Sequence, residues 1–252
     1  MQLFTLENRI ALVTGATTGI GSAICVALAQ AGADIAGVGS SGKFADTQAA
    51  VEATGRRFAG ITADLEKMDQ TRTVVSRAID ALGGIDILVN NAGIIRRTPS
   101  LDFSEEDWDA VMNVNVKSAF FLAQAVARHF VEQNKPGKII NIASLLSFQG
   151  GILVPSYTAS KSALAGITKT LANEWASKNI NVNAIAPGYI ATRNTQALQD
   201  DPVRNKSILD RIPAARWGKP EDLGGIVVFL ASRASDYCNG TVYPVDGGWL
   251  GR

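Results

Sequence analysis

The chain is poor in the residues that most often carry hydrolytic or metal chemistry. It has one histidine, His129, and two cysteines, Cys25 and Cys238, which lie far apart and fit no metal-ligand spacing. No metal site is expected, and His129, late in a helical pattern, reads as a packed or surface residue. An excess of one charge is missing too. The 24 Lys+Arg and 23 Asp+Glu leave a formal net charge of +1, so nothing draws the chain electrostatically to nucleic acid or an anionic membrane. No uninterrupted apolar run approaches the ~18 residues of a membrane span. The start, M-Q-L-F-T-L-E-N-R, lacks the basic and apolar segments of a secretion signal. A cytoplasmic protein with no nucleic-acid or membrane partner is the expectation. The four tryptophans, Trp108, Trp175, Trp217 and Trp249, form no base-stacking pattern.

What is present is core and alternation. Apolar residues make up 46% of the 252 positions, enough for a sizeable interior. Strand-like and helix-like patterns alternate throughout, with strands expected at 10–13, 34–38, 57–62, 85–89, 138–143, 180–186 and 241–245. Helices are expected from Ile20 onward and at 43–54, 68–82, 104–133, 156–177 and 221–231, with a looser stretch from Pro187 to about Gly218. Continuous apolar strands such as I-D-I-L-V and K-I-I-N-I-A suit a parallel sheet covered on both faces. With no linker, repeat or low-complexity tract, residues 1–252 read as one doubly wound, Rossmann-type α/β domain with a parallel seven-stranded sheet. In such a sheet ligands bind beyond the carboxyl ends of the strands, and Gly15, Asp64, Asn91, Ser144 and Pro187 all fall just after a strand.

Two motifs give that crevice chemistry. R-I-A-L-V-T-G-A-T-T-G-I-G places Gly15, Gly19 and Gly21 between a strand and a helix, where a backbone can approach a pyrophosphate and the helix N-terminus faces it. The spacing G-x-x-x-G-x-G is not a P-loop, which needs Gly-Lys-Ser/Thr. Further on, Ser144 ends a strand pattern and Tyr157-x-x-x-Lys161 begins a helix, so phenol and ammonium share one face, a turn apart. A free phenol titrates near ~10. An adjacent lysine cation lowers that value toward a working acid–base, and a serine hydroxyl can hold the substrate oxygen.

T-G-x-x-x-G-I-G, N-N-A-G, the serine, Y-x-x-x-K and P-G together resemble the short-chain dehydrogenase/reductase family, over essentially the whole chain. The resemblance implies a dinucleotide cofactor and hydride transfer between nicotinamide and a carbonyl or carbinol carbon. Tyr157 matches the acid–base, Lys161 the residue that lowers its pKa, and Ser144 the substrate-orienting hydroxyl. Asn115, in M-N-V-N-V-K-S, is preferred over Asn113 as the fourth member, with a proton relay running from Lys161 through water toward it. Cofactor contacts are implied at Gly15, Thr17, Gly19, Ile20 and Gly21, at Gly39, and at Asp64 and Leu65. They are implied also at Asn91, Ala92 and Gly93, at Tyr157 and Lys161, and at Pro187, Gly188, Ile190 and Thr192. The acid that usually selects NAD at the end of the second strand is missing, because Gly39 stands there. The basic residues favouring NADP are absent as well.

N-A-G-I-I-R-R, the loop L-L-S-F-Q-G-G-I-x-V-P-S and R-I-P-A-A-R-W-G are similar to a subgroup acting on deoxy- and keto-sugar acids, of the 2-deoxy-D-gluconate 3-dehydrogenase type. That subgroup points to NAD, with NADP not excluded, and to a homotetramer in which the C-terminal G-G-W-L-G-R is covered by another subunit. A carboxylate substrate calls for a cation. At least one of Arg96, Arg97 and Arg193 is expected to supply it, Arg96 or Arg97 first, with Gln149 and Gly150 near the hydroxyls. The competing readings are a reductase of another carbonyl, such as a 3-oxoacyl thioester or gluconate, and a dinucleotide-binding regulator without turnover.

Overall fold

Apolar strands flanked by amphipathic helices can bury both faces of a sheet only by alternating the helices between its two sides. The computed structural model, which describes residues 2–252, is built this way. Its strands are β1 (Ile10–Thr14), β2 (Asp34–Gly39), β3 (Phe58–Thr62), β4 (Ile87–Asn90), β5 (Gly137–Ile142), β6 (Ile180–Pro187) and β7 (Val242–Val245). They form one sheet in the order β3-β2-β1-β4-β5-β6-β7, and every neighbouring pair is parallel. The order reverses between β1 and β4, which opens a crevice at their carboxyl ends.

One face is covered by α1 (Gly19–Gln30), α2 (Ala45–Glu52) and α9 (Gly224–Ala231), whose Ile24, Leu28, Val51, Val227 and Leu230 pack on Val13, Ile35 and Ile87. The other face is covered by α3 (Met68–Leu82), α5 (Ser118–Glu132) and α6 (Pro155–Trp175), through residues such as Val74, Val126, Phe130 and Leu171. Helix α3 has the bounds expected from its periodicity, and it ends because Gly83 takes φ 95°, donating its N–H to the Ile79 carbonyl. The helix expected over 104–133 starts where Ser104 accepts the Asp107 N–H, with three acids in its first turn. It is not uniform. Between α4 (Glu105–Met112) and α5 lies a π-helical turn, Asn113–Lys117. The run Glu105–Glu132 is long and apolar enough to cross a membrane by composition, yet 56% of its most apolar window is buried in this fold, so it serves as core.

The looser stretch after β6 contains structure that apolar periodicity does not announce. A 3-10 turn (Arg193–Thr195), α7 (Gln196–Asp200) and α8 (Pro202–Leu209) fold over the sheet end. There Ile208 and Ile212 make a small separate core with Leu145 and Trp249. Trp249, expected to be covered by another subunit, is already 4% exposed within its own chain.

Candidate active site

The glycine turn after β1 is required by contact rather than by flexibility alone. A Cβ on Gly21 would sit 2.0 Å from the Gly15 carbonyl oxygen and 2.5 Å from Asn91 Nδ2, while Gly15 and Gly19 hold φ of +67° and +59°. Thr18, the N-cap of α1, makes no side-chain cap bond, so the first-turn N–H groups of α1 are left for an anion. Thr14 Oγ1 accepts the N–H groups of Asn91 (3.0 Å) and Ala92 (2.9 Å), and Asn91 Nδ2 donates to the Thr14 carbonyl at 2.8 Å. These bonds join N-N-A-G to the glycine turn as one wall. Ser40 and Ser41 follow β2, and a Cβ on Gly39 would lie 2.5 Å from Thr17 Cγ2, so an acid cannot occupy 39 unless Thr17 moves.

These walls enclose a cavity of about 880 Å³. From the β1 turn it is lined by Gly15, Thr17, Gly19, Ile20 and Gly21, and from the β4 end by Asn91, Ala92 and Gly93. From the β6 end come Pro187, Gly188, Ile190 and Thr192. Gly39, Asp64 and Leu65 are not on the wall. Gly39 backs Thr17 from behind, Asp64 caps its own turn by accepting the Glu66 N–H, and Leu65 is packed in the core.

Ser144, Tyr157 and Lys161 face the same cavity. Ser144 Oγ accepts the Leu146 N–H at 3.2 Å, and its hydroxyl is directed to the Tyr157 oxygen, where a substrate oxygen would meet both. Lys161 is 3% exposed, its Nζ donates to the Ile142 carbonyl at 2.7 Å and lies 5.6 Å from the Tyr157 ring centroid. Burial pushes the Tyr157 phenol above its usual value, against the pull of the Ser144 hydroxyl and the Arg97 charge. Burial also lowers Lys161 to about 8. The lowered phenol pKa expected from the spacing is therefore absent in the chain by itself, because desolvation outweighs the Ser144 hydroxyl and the Arg97 charge.

Asn115 is 1% exposed and its side chain makes three hydrogen bonds. Nδ2 donates to the Ile94 carbonyl and to Ser160 Oγ, both at 3.0 Å, and Oδ1 accepts the Ile94 N–H at 2.9 Å. The side chain braces the loop after β4 against α6, and Oδ1, which takes one donor, keeps a second acceptor position.

The lowered Lys161 value has a consequence for stability. Below pH 8 the folded state holds a buried charge that the unfolded chain solvates freely, and this penalty is relieved as pH rises from 8 to 10.5. Wild type is expected to gain stability over that window relative to Lys161→Met, by at most about 1.4 kcal/mol per pH unit. Denaturant unfolding of both proteins at pH 7.5 and 9.5 measures it, and an unchanged difference would place Lys161 outside the buried environment described.

Of the arginines expected to face substrate, Arg97 and Arg193 line the cavity and Arg96 does not. Arg96 Nε instead donates to Asp107 at 2.9 Å, in the acid-rich first turn of α4. Gln149 lines the cavity, and so do Arg204, Arg211 and Trp249, which pattern reasoning missed. With Lys161 the wall carries five cationic side chains and not one Asp or Glu. The loop bearing Gln149 is held in place where Leu153, at φ +65°, accepts the Thr98 N–H at 3.0 Å.

A family profile described as enoyl-(acyl carrier protein) reductase matches residues 15–250. The chain is also 59% identical to the 2-dehydro-3-deoxy-D-gluconate 5-dehydrogenase of Escherichia coli K12, over 100% of this chain and 99% of that protein. The chain belongs to the short-chain dehydrogenase/reductase family. It is an NAD(P)-dependent oxidoreductase of CH–OH groups. Among solved structures it resembles a proposed 2-deoxy-D-gluconate 3-dehydrogenase from Agrobacterium tumefaciens with bound NADP, at TM-score 0.95 and 53% identity over 100% of both chains. It also resembles a gluconate 5-dehydrogenase from Burkholderia cenocepacia J2315 in complex with NADP and tartrate, at TM-score 0.94 and 39% identity, covering 100% of this chain and 98% of that one. The glycine turn and the uncapped α1 N-terminus fit a dinucleotide pyrophosphate.

Proposed function

We propose that the protein interconverts a ketone and a secondary alcohol on a deoxy- or keto-sugar acid of the 2-dehydro-3-deoxy-D-gluconate type. The observation that carries this reading is the wall beside Tyr157, rich in arginine and free of carboxylates, which suits a substrate with a carboxylate. The whole-length similarity to a dehydrogenase of that substrate supports it, as does the hydroxy acid tartrate bound in a structural neighbour.

When bound, the nicotinamide supplies or accepts the hydride. The chain's own residues do the rest. Gly15, Gly19 and Gly21 admit the pyrophosphate. Ser144 donates its hydroxyl hydrogen to the substrate oxygen, and Tyr157 gives or takes the hydroxyl proton. Lys161 holds positive charge beside the phenol and favours its ionised form. Asn115 fixes the loop that carries Gly93 and Ile94, so it acts as a positioning residue. NAD(H) is the reading for the cofactor, and NADP(H) is admitted because no acid after β2 repels a 2′-phosphate. The protein works on a small molecule in the cytoplasm as a homotetramer, for which the partly exposed Trp108 and Phe121 of α4 and α5 offer apolar surface. Its near-neutral charge gives nucleic acid and membranes no purchase.

The test is absorbance at 340 nm with keto-deoxy sugar acids and 3-oxoacyl thioesters, each with NADH and NADPH. Oxidation of either nucleotide by the sugar acids is expected. Turnover confined to acyl thioesters would overturn the substrate class and leave the fold and site standing.

A further inference from the structure

Of the four arginines on the cavity wall, Arg97 is the one whose charge acts on the Tyr157 hydroxyl. A carboxylate seated on Arg97 would cancel that help at the reacting oxygen, so the substrate's acid group is better held elsewhere. Arg193 and Arg204 have no side-chain partner among the described residues. Arg211 is held twice. Its guanidinium lies 4.0 Å from the centre of the Trp249 ring, and Nη2 donates to Gln149 Oε1 at 3.4 Å. The same Gln149 oxygen accepts Trp249 Nε1–H at 3.2 Å. These two donors fix which way the amide points and leave both hydrogens of Gln149 Nε2 without a partner. Arg211 lies between Ile208 and Ile212, both buried with Trp249 and Leu145, so its backbone is anchored as well. No carboxylate neutralises it among the described residues.

A planar cation stacked on an indole, with most of its N–H groups free and an amide donor beside it, is an arrangement ordered before any ligand arrives. We propose that Arg211, positioned by Trp249 and Gln149, binds the carboxylate of the sugar acid, with Gln149 Nε2 donating beside it. This rests on the sugar-acid reading above and assigns its anion subsite. It gives the C-terminal Trp249 a role in the site, where sequence reasoning expected a subunit contact.

The test compares D-gluconate with its neutral counterpart D-glucitol, titrated calorimetrically into protein saturated with reduced cofactor so that the alcohol is not consumed. Wild type is expected to prefer gluconate, and Arg211→Gln to lose roughly 10- to 100-fold in gluconate affinity with glucitol affinity unchanged. Gln149→Glu keeps the arginine but gives it an internal carboxylate, and it is expected to produce the same selective loss. A gluconate preference that survives in both variants overturns the proposal alone and leaves the sugar-acid reading in place. A wild-type protein with no preference for the acid overturns both.

Discussion

Replacing Tyr157 with phenylalanine is expected to lower kcat roughly 10³-fold, within the ~10²–10⁴ range of a positioned acid–base and equivalent to about 4 kcal/mol of barrier. The ring stays, so its packing and the Lys161 Nζ 5.6 Å from its centroid stay too. Only the proton carrier is lost. Cofactor affinity is expected to hold within a few-fold, and fluorescence titration of reduced cofactor separates the two effects. A variant retaining more than a tenth of wild-type kcat would show that another group, such as Ser144 or a water, carries the proton.

Gly21→Ala is expected to act on the other half of the site. The added methyl would meet the Gly15 carbonyl at 2.0 Å and its carbon at 2.7 Å. Both are backbone atoms that cannot rotate away. It would also press on Asn91 Nδ2, which ties β4 to the turn. Relieving the overlap costs about 1–3 kcal/mol, and the distortion falls on the cofactor turn itself. Cofactor binding is expected to weaken roughly 10- to 100-fold, with thermal stability reduced at the same time. Gly166→Ala in α6, where an added methyl meets nothing within 4 Å, is the control. It is expected to bind cofactor normally and to be slightly more stable. Unchanged cofactor affinity in Gly21→Ala would mean that the turn opens more easily than its contacts allow.

The parts of the molecule legible in the sequence are those governed by local pattern. Helix α3 has a clean apolar stripe and a terminal glycine, and its bounds follow from them. The seven strands follow from short apolar runs, and Ser144, Tyr157 and Lys161 converge because each trails a strand or opens a helix on the same sheet edge. What was not legible depends on partners distant in the chain. Arg96 and Arg97 are indistinguishable by position, and the choice is made by Asp107, which captures Arg96. Gln149 meets Trp249 across 100 positions, and no window reading joins them. The π-helical turn at Asn113–Lys117 carries no glycine or proline to mark it. Segments α7 and α8 are short and polar on most sides, so their fold over the cavity comes from a few anchors such as Ile208.

A cavity wall with five cations and no acid is an ion exchanger as well as a binding site. It sorts arriving molecules by charge before it tests their shape, within the ~8 Å beyond which physiological salt largely screens the field. A neutral sugar of the right outline then arrives no more often than chance brings it. For the sugar acid proposed above, substrate and product would carry the same carboxylate and be held by the same potential, so the field that hastens entry would also delay departure. The rates of entry and exit at such a wall therefore answer to the ions around it.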